Sequence, residues 1–130
     1  MAYGTANVDT IQSSTAGTPP QFNDGNGTQV GTLCRAWVNF NGVTTATIRA
    51  SFNVSSITRN GTGDYTVNFT NAFSDVNYAF ACTASRASLG NQANVASPYT
   101  TAPTTTAFRF TTNTTAGVDD SLWCSASFFR

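Results

Sequence analysis

Two runs of alternating apolar and polar residues constrain the folding of this chain more than any other feature. In Ala46-Thr47-Ile48-Arg49-Ala50-Ser51-Phe52-Asn53-Val54 the even positions are apolar and the odd ones polar, and over 65–70 Tyr65, Val67 and Phe69 alternate with Thr66, Asn68 and Thr70. Successive side chains of an extended strand point to opposite faces, so each run buries one face and wets the other. Between them, Arg59-Asn60-Gly61-Thr62-Gly63-Asp64 contains an Asn-Gly step that suits the positive backbone dihedrals of a tight turn. The pattern predicts a β-hairpin over 46–70 with Gly61 in its turn. Further strands are expected at 33–40, 77–84, 106–112 and 121–129, separated by Gly-, Pro- and Asn-rich loops, and no segment sustains a helical period. Short strands at this spacing predict an all-β fold, an antiparallel β-sandwich of jelly-roll-like kind.

Composition supports strands and argues against several partners. Ser, Thr and Asn exceed a third of the 130 residues, and the good helix formers Lys and Glu are absent. The charges are six Arg and six Asp, giving a net charge of zero with no His. A chain so poor in charge lacks the basic footprint of a nucleic-acid binder or of a peripheral membrane protein, so neither nucleic acid nor membrane insertion is expected. The opening MAYGTANVDT lacks the charged and apolar regions of a secretory signal, which predicts cytoplasmic synthesis without a signal peptide.

The length suits one domain with a core, occupying 32–130. Residues 1–31 form a separate zone, rich in Gly, Thr, Ser, Asn and Gln and interrupted by Pro19-Pro20. With so few apolar residues it buries little by itself, so it is read as an extended connecting segment draped on a neighbouring subunit or as a partly disordered one, with NVDTIQSS as the run able to form one strand. Asn23-Asp24-Gly25-Asn26-Gly27 resembles an oxygen-rich calcium loop but lacks a second carboxylate and a closing Glu, so a plain turn is the better reading.

The motifs AWVNFNG, IRASFNVSSI and NGTGDYTVNF follow one another within 34–70, and a looser echo continues through NAFSDVNYAFAC. Taken in that order they resemble the C-terminal, receptor-binding region of bacteriophage tail fibres and related virion proteins. The resemblance implies a homotrimeric fibre head located in the virion and joined to other fibre or tail proteins. It also implies host-cell attachment through a surface glycan or protein receptor, without enzymatic activity. Two further readings stand beside it. One is a structural module that caps or trimerises a fibre or decorates a capsid, and the other is a cellular carbohydrate-binding adhesin.

Read by themselves, the residues supply little catalysis. With no His or Glu, acid–base work would fall to the six Asp, several of them in turn-like contexts, and Asp119-Asp120 reads as a solvated loop. Cys34, Cys82 and Cys124 are odd in number and have no His for a metal motif, so no disulfide framework, metal site or cofactor is expected. Parity groups Cys34 with Ala36, Val38 and Phe40, Cys82 with Tyr78 and Phe80, and Cys124 with Leu122, Ala126 and Phe128, which predicts three inert thiols on apolar faces. Trp37 falls on the face opposite Val38 and Phe40, where Arg49, Ser51 and Asn53 of the next strand are expected as neighbours. Packing within or between subunits is favoured for it over sugar stacking. Five Asn-X-Ser/Thr triplets, beginning at Asn26, Asn53, Asn60, Asn68 and Asn113, are read as chance products of the composition.

Recognition is expected in loops held by a rigid scaffold. The longest candidate is 86–99, where Arg86, Asn91, Gln92, Asn94 and Tyr99 combine a cation, amides and an aromatic ring suited to glycan hydroxyls and sugar faces. The segment 113–120 is a second candidate.

Overall fold

A computed structural model describes residues 4, 7–15, 20–85, 101–114 and 117–130, together with the backbone of 92–96. The chain divides into two compact units, Met1–Leu33 and Cys34–Arg130. In the first, β1 (Phe22–Asn23) and β2 (Gln29–Gly31) pair antiparallel. Their connection is built on Asp24, whose Oδ1 accepts the N–H groups of Asn26 at 2.9 Å and Thr28 at 2.8 Å, with Gly27 at φ 81°. This is the plain turn read from 23–27. The strand expected in NVDTIQSS does not form, since none of residues 7–14 is in a strand.

The second unit is an all-β sandwich with no helix among the described residues. Its strands are β3 (Cys34–Asn41), β4 (Thr47–Phe52), β5 (Val54–Gly61), β6 (Asp64–Phe69), β7 (Ala79–Ser85), β8 (Gln92–Ala96), β9 (Ala107–Thr114), β10 (Gly117–Val118) and β11 (Cys124–Phe129). All pairings are antiparallel, in the order β4-β3-β11-β7-β8-β9-β6-β5, with β10 on β9. One layer is β4-β3-β11-β7 and the other is β9-β6-β5. β8 joins them by pairing β7 through Ala84 and Ser85 and β9 through Thr111, Thr112 and Asn113.

The core lies between the layers and follows the period of two. Ala36, Val38 and Phe40 of β3 and Cys124, Ala126 and Phe128 of β11 meet Tyr65, Val67 and Phe69 of β6 and Phe108 and Phe110 of β9, all buried. Aromatic rings bridge the layers edge to face, Phe40 to Tyr65 at 5.2 Å and Phe69 to Phe128 at 5.0 Å between centroids, an arrangement that adds quadrupole attraction to the burial of apolar area.

The hairpin expected over 46–70 is shorter, and its alternation is broken twice. Asn39 pairs with Ala50 but Phe40 pairs with Ile48, so Arg49 is the extra residue of a β-bulge. A bulge shifts parity. Ile48 therefore packs on the core, whereas Ala50 and Phe52 lie opposite Asn39 and Trp37 on the outer face, with Phe52 56 % exposed. Asn53 then takes a left-handed φ of 55°, and the chain crosses to the other layer, where Val54 is buried again. The corner is held by the Asn53 side chain, which donates to the carbonyls of Arg35 and Asn71 at 3.1 Å each and accepts the Asn71 N–H at 2.8 Å. The true hairpin is β5-β6. Its connection is Thr62-Gly63 and the positive φ of 63° belongs to Gly63, not to Gly61.

The segment 86–99 is likewise not one uninterrupted loop, because β8 occupies its middle.

Candidate functional site

Strand order brings the β3–β4 turn, the β5–β6 turn, the end of β7 and the segment before β11 to one end of the sandwich. There Asp120 is the hub. Its carboxylate accepts Arg59 through Nε at 3.2 Å and through a terminal nitrogen at 2.7 Å, the Gly63 N–H at 2.9 Å and the Tyr65 hydroxyl at 3.0 Å. Burial pushes this carboxyl up, but Arg59 first, then the Gly63 N–H and Tyr65, outweigh it and hold it below the ordinary carboxylate range. The solvated loop expected at Asp119-Asp120 is thus a structural clamp, with the Asp120 side chain only 15 % exposed. Asp119 also holds the end together, through its N–H to the Thr112 carbonyl at 3.0 Å and its carbonyl to the Thr112 hydroxyl at 2.6 Å. Tyr65 is raised above its usual pKa mainly by burial, against the N–H of Ser121, and Gly42 leaves the room its hydroxyl needs, since a Cβ there would strike it.

Beside this hub stands a more exposed group. Trp123 exchanges hydrogen bonds with Ser85, from the Ser85 N–H to the Trp123 carbonyl at 2.8 Å and from the Trp123 N–H to Ser85 Oγ at 3.1 Å. The Arg49 guanidinium lies over the Trp123 ring at 3.9 Å and donates to the Leu122 carbonyl at 2.8 Å. Arg49, expected as a neighbour of Trp37, therefore makes a cation–π contact with Trp123 instead, because the bulge carries it toward the start of β11. Trp123 is 48 % exposed, at the root of the segment that follows Ser85.

The two outer faces of the sandwich differ in chemistry. On β5-β6-β9 the polar side chains satisfy one another. Asn68 donates to Ser56 and Thr58 at 3.0 Å, Asn60 to Thr66 at 2.9 Å, and Arg109 makes a two-point contact with Asp64 at 2.9 and 2.5 Å. That contact, ahead of the Asn60 amide, lowers the Asp64 pKa. On β4-β3-β11-β7 the register forms a row Phe52, Trp37, Ser127, Ala81 and a second row Ala50, Asn39, Ser125, Thr83. Neither row holds a charge, and Asn39 donates to Ser125 at 2.8 Å. Trp37 is 38 % exposed and has Phe52 as its neighbour, in place of the expected Arg49, Ser51 and Asn53.

Of the predicted recognition residues, Arg86, Asn91 and Tyr99 lie outside the described residues. Gln92 and Asn94 are in β8, opposite Ser85 and Asn113, and only their backbone is described. The second candidate, 113–120, contains β10, paired to Asn113 and Thr114. Sequence reasoning missed the Asp120 hub and the Arg49–Trp123 pair, both made by residues about 60 to 75 positions apart, for which local pattern carries no signal. Cys34 departs from its predicted face. Phe128 pairs with Ala36 but Phe129 pairs with Cys34, a register shift that leaves Cys34 outside the core cluster. Cys82 and Cys124 keep the expected face, and burial pushes both thiols up to about 12.

No protein-family model, no curated protein and no solved structure matches this chain.

Proposed function

We propose that this chain is a tail-fibre-type virion module that attaches a virus to its host cell by non-covalent recognition of a surface glycan, working as a homotrimer. The reading is carried by the ordered motifs of 34–70, which form β3 to β6. The chemistry of the described residues supports binding over catalysis. Asp64, Asp75 and Asp120 are each tied to an arginine, and Asp24 closes a turn, so these carboxylates serve the fold. The proposed recognition residues are Arg86, Asn91, Gln92, Asn94 and Tyr99, flanking and within β8, with Trp123 at the root of the segment. Amides pair with sugar hydroxyls and aromatic faces stack on sugar rings.

Fluorescently labelled protein applied to a glycan array and to bacterial cells tests this. Binding to a defined glycan class, lost in an Asn91→Ala/Tyr99→Ala double variant that remains folded, supports the proposal. A folded parent that binds no glycan and no cell overturns it. The adjacent, exposed Phe52 and Trp37 on the outer face of β4-β3-β11-β7 favour a second reading, a structural module that joins subunits without a receptor of its own.

A further inference from the structure

We propose that the glycan this chain takes is an acidic one, a sugar whose carboxylate is held by the Arg49 guanidinium while its ring lies on the Trp123 indole. This assignment rests on the proposed function and adds to it the sugar class and the group that selects it.

Arginine pairing singles out Arg49. Among the described residues Arg59, Arg109 and Arg130 are each tied to an aspartate, which leaves Arg49 and Arg35 without a carboxylate partner. Arg35 is half-buried, with its guanidinium carbon 6.0 Å from the centre of the Phe73 ring, whereas Arg49 is exposed. Two contacts fix Arg49 in place. Its guanidinium carbon lies 3.9 Å from the centre of the Trp123 ring, and one terminal nitrogen donates to the Leu122 carbonyl at 2.8 Å. The remaining donors of the planar fork are therefore held ready for an anion.

The indole is held as firmly. The N–H and the carbonyl of Trp123 are both bonded to Ser85, at the root of the segment that carries the proposed recognition residues. With the guanidinium on it the side chain is still 48 % exposed, so aromatic surface remains for a ligand. The β3–β4 turn adjoins this group, its Gly42 N–H donating to the Ser121 carbonyl at 2.8 Å, and it carries Thr44 at φ 61°. A β-branched residue in that conformation is strained, and such strain collects where backbone shapes a ligand site.

Charge selects the ligand. A carboxylate matches the guanidinium fork in shape and in sign, and when bonded to its edge it brings the sugar that bears it beside the exposed indole. A neutral sugar would use Trp123 and leave Arg49 without a partner. The carboxylate of Asp120 at this end is taken by Arg59 of β5, and the backbone of Asp119 is bonded to Thr112 of β9, both partners belonging to the other layer. With a net charge of zero the chain has no general attraction for polyanions, so a preference for acidic sugars has to arise locally.

A glycan array printed in two copies, one with its carboxyl groups converted to methyl esters, tests this. Labelled parent, Arg49→Gln, Trp123→Leu and Arg130→Gln are applied to both copies, each protein checked by its melting curve. The parent should favour carboxylated glycans, and titration in solution should show esterification weakening the best of them about tenfold to a hundredfold. Arg49→Gln should bind the acid as weakly as the parent binds the ester, and Trp123→Leu should weaken binding to both. Arg130→Gln, which removes the same charge at the other end of β11, should bind as the parent does. Binding that esterification leaves unchanged, or a folded Arg49→Gln that keeps the parent's preference, overturns this inference and leaves glycan attachment standing. A preference for phosphorylated over carboxylated glycans overturns it in the same way. If Arg49→Gln fails to fold, Arg49→Lys keeps the charge without the fork, and parent-like affinity for the acid in that variant overturns the assignment. A folded parent that binds neither copy also overturns it, and if cells are left unbound as well the proposed function falls with it.

Discussion

The Tyr65 hydroxyl lies 3.0 Å from Asp120 Oδ1 and 3.1 Å from the Gly42 carbonyl, so one phenol on β6 ties the turn after β3 to the segment before β11. Its ring packs on Phe40 and Phe110 and its oxygen also receives the Ser121 N–H at 3.3 Å. Tyr65→Phe keeps the packing and removes the hydroxyl. It should lower stability by about 1–3 kcal/mol, because buried partners are left unsatisfied. Urea unfolding checks this, and an unchanged midpoint means that the hub does not hold the two layers.

Gly63 and Gly61 should respond oppositely to substitution. A Cβ at Gly63, where φ is +63°, would lie 2.6 Å from the Asp119 carbonyl oxygen and 2.8 Å from that of Thr112, whereas a Cβ at Gly61 meets nothing within 4 Å. Gly63→Ala should cost about 3 kcal/mol or more, from strain and displaced backbone, and Gly61→Ala should lie within about 1 kcal/mol of the parent. Melting temperatures of the two variants give the comparison.

The three thiols should separate by reactivity. Burial holds Cys82 and Cys124 at about 12, so at pH 8 their thiolate fraction is very small, while Cys34 stands outside the core cluster. Iodoacetamide followed by peptide mass spectrometry should find Cys34 alkylated first, and all three modified once urea unfolds the chain. Native labelling of Cys124 ahead of Cys34 would contradict the packing.

Acid should loosen the end of the sandwich where these carboxylates cluster. Asp120 and Asp64 are depressed in the folded chain, so their contribution is present above the unfolded carboxylate pKa of about 3.9 and is lost as pH falls through the lower folded values. The urea midpoint should be level from pH 7 to about pH 5 and decline below about pH 4. In Asp120→Asn the stability should be lower at neutral pH and the acid decline shallower. An equally steep decline in that variant would assign the acid sensitivity elsewhere.

Local pattern determined which residues form most of the strands and which side chains fill the core. Ala36, Val38 and Phe40, or Tyr65, Val67 and Phe69, alternate so regularly that an extended segment buries them together whatever it pairs with. The turn at Asp24 was equally legible, since an Asx side chain closes on backbone only a few residues away. Tertiary structure decided what depends on partners distant in sequence. The bulge at Arg49 and the left-handed Asn53 exist because β4 must pair with β3 and then deliver Val54 to the opposite layer, and together they turned Phe52 from the expected core to the surface. The same pairing sent Arg49 to Trp123 rather than Trp37, and drew Asp120 into a clamp with Arg59, Gly63 and Tyr65. Alternation specifies a face only while the register runs unbroken, and register is set by the neighbouring strand.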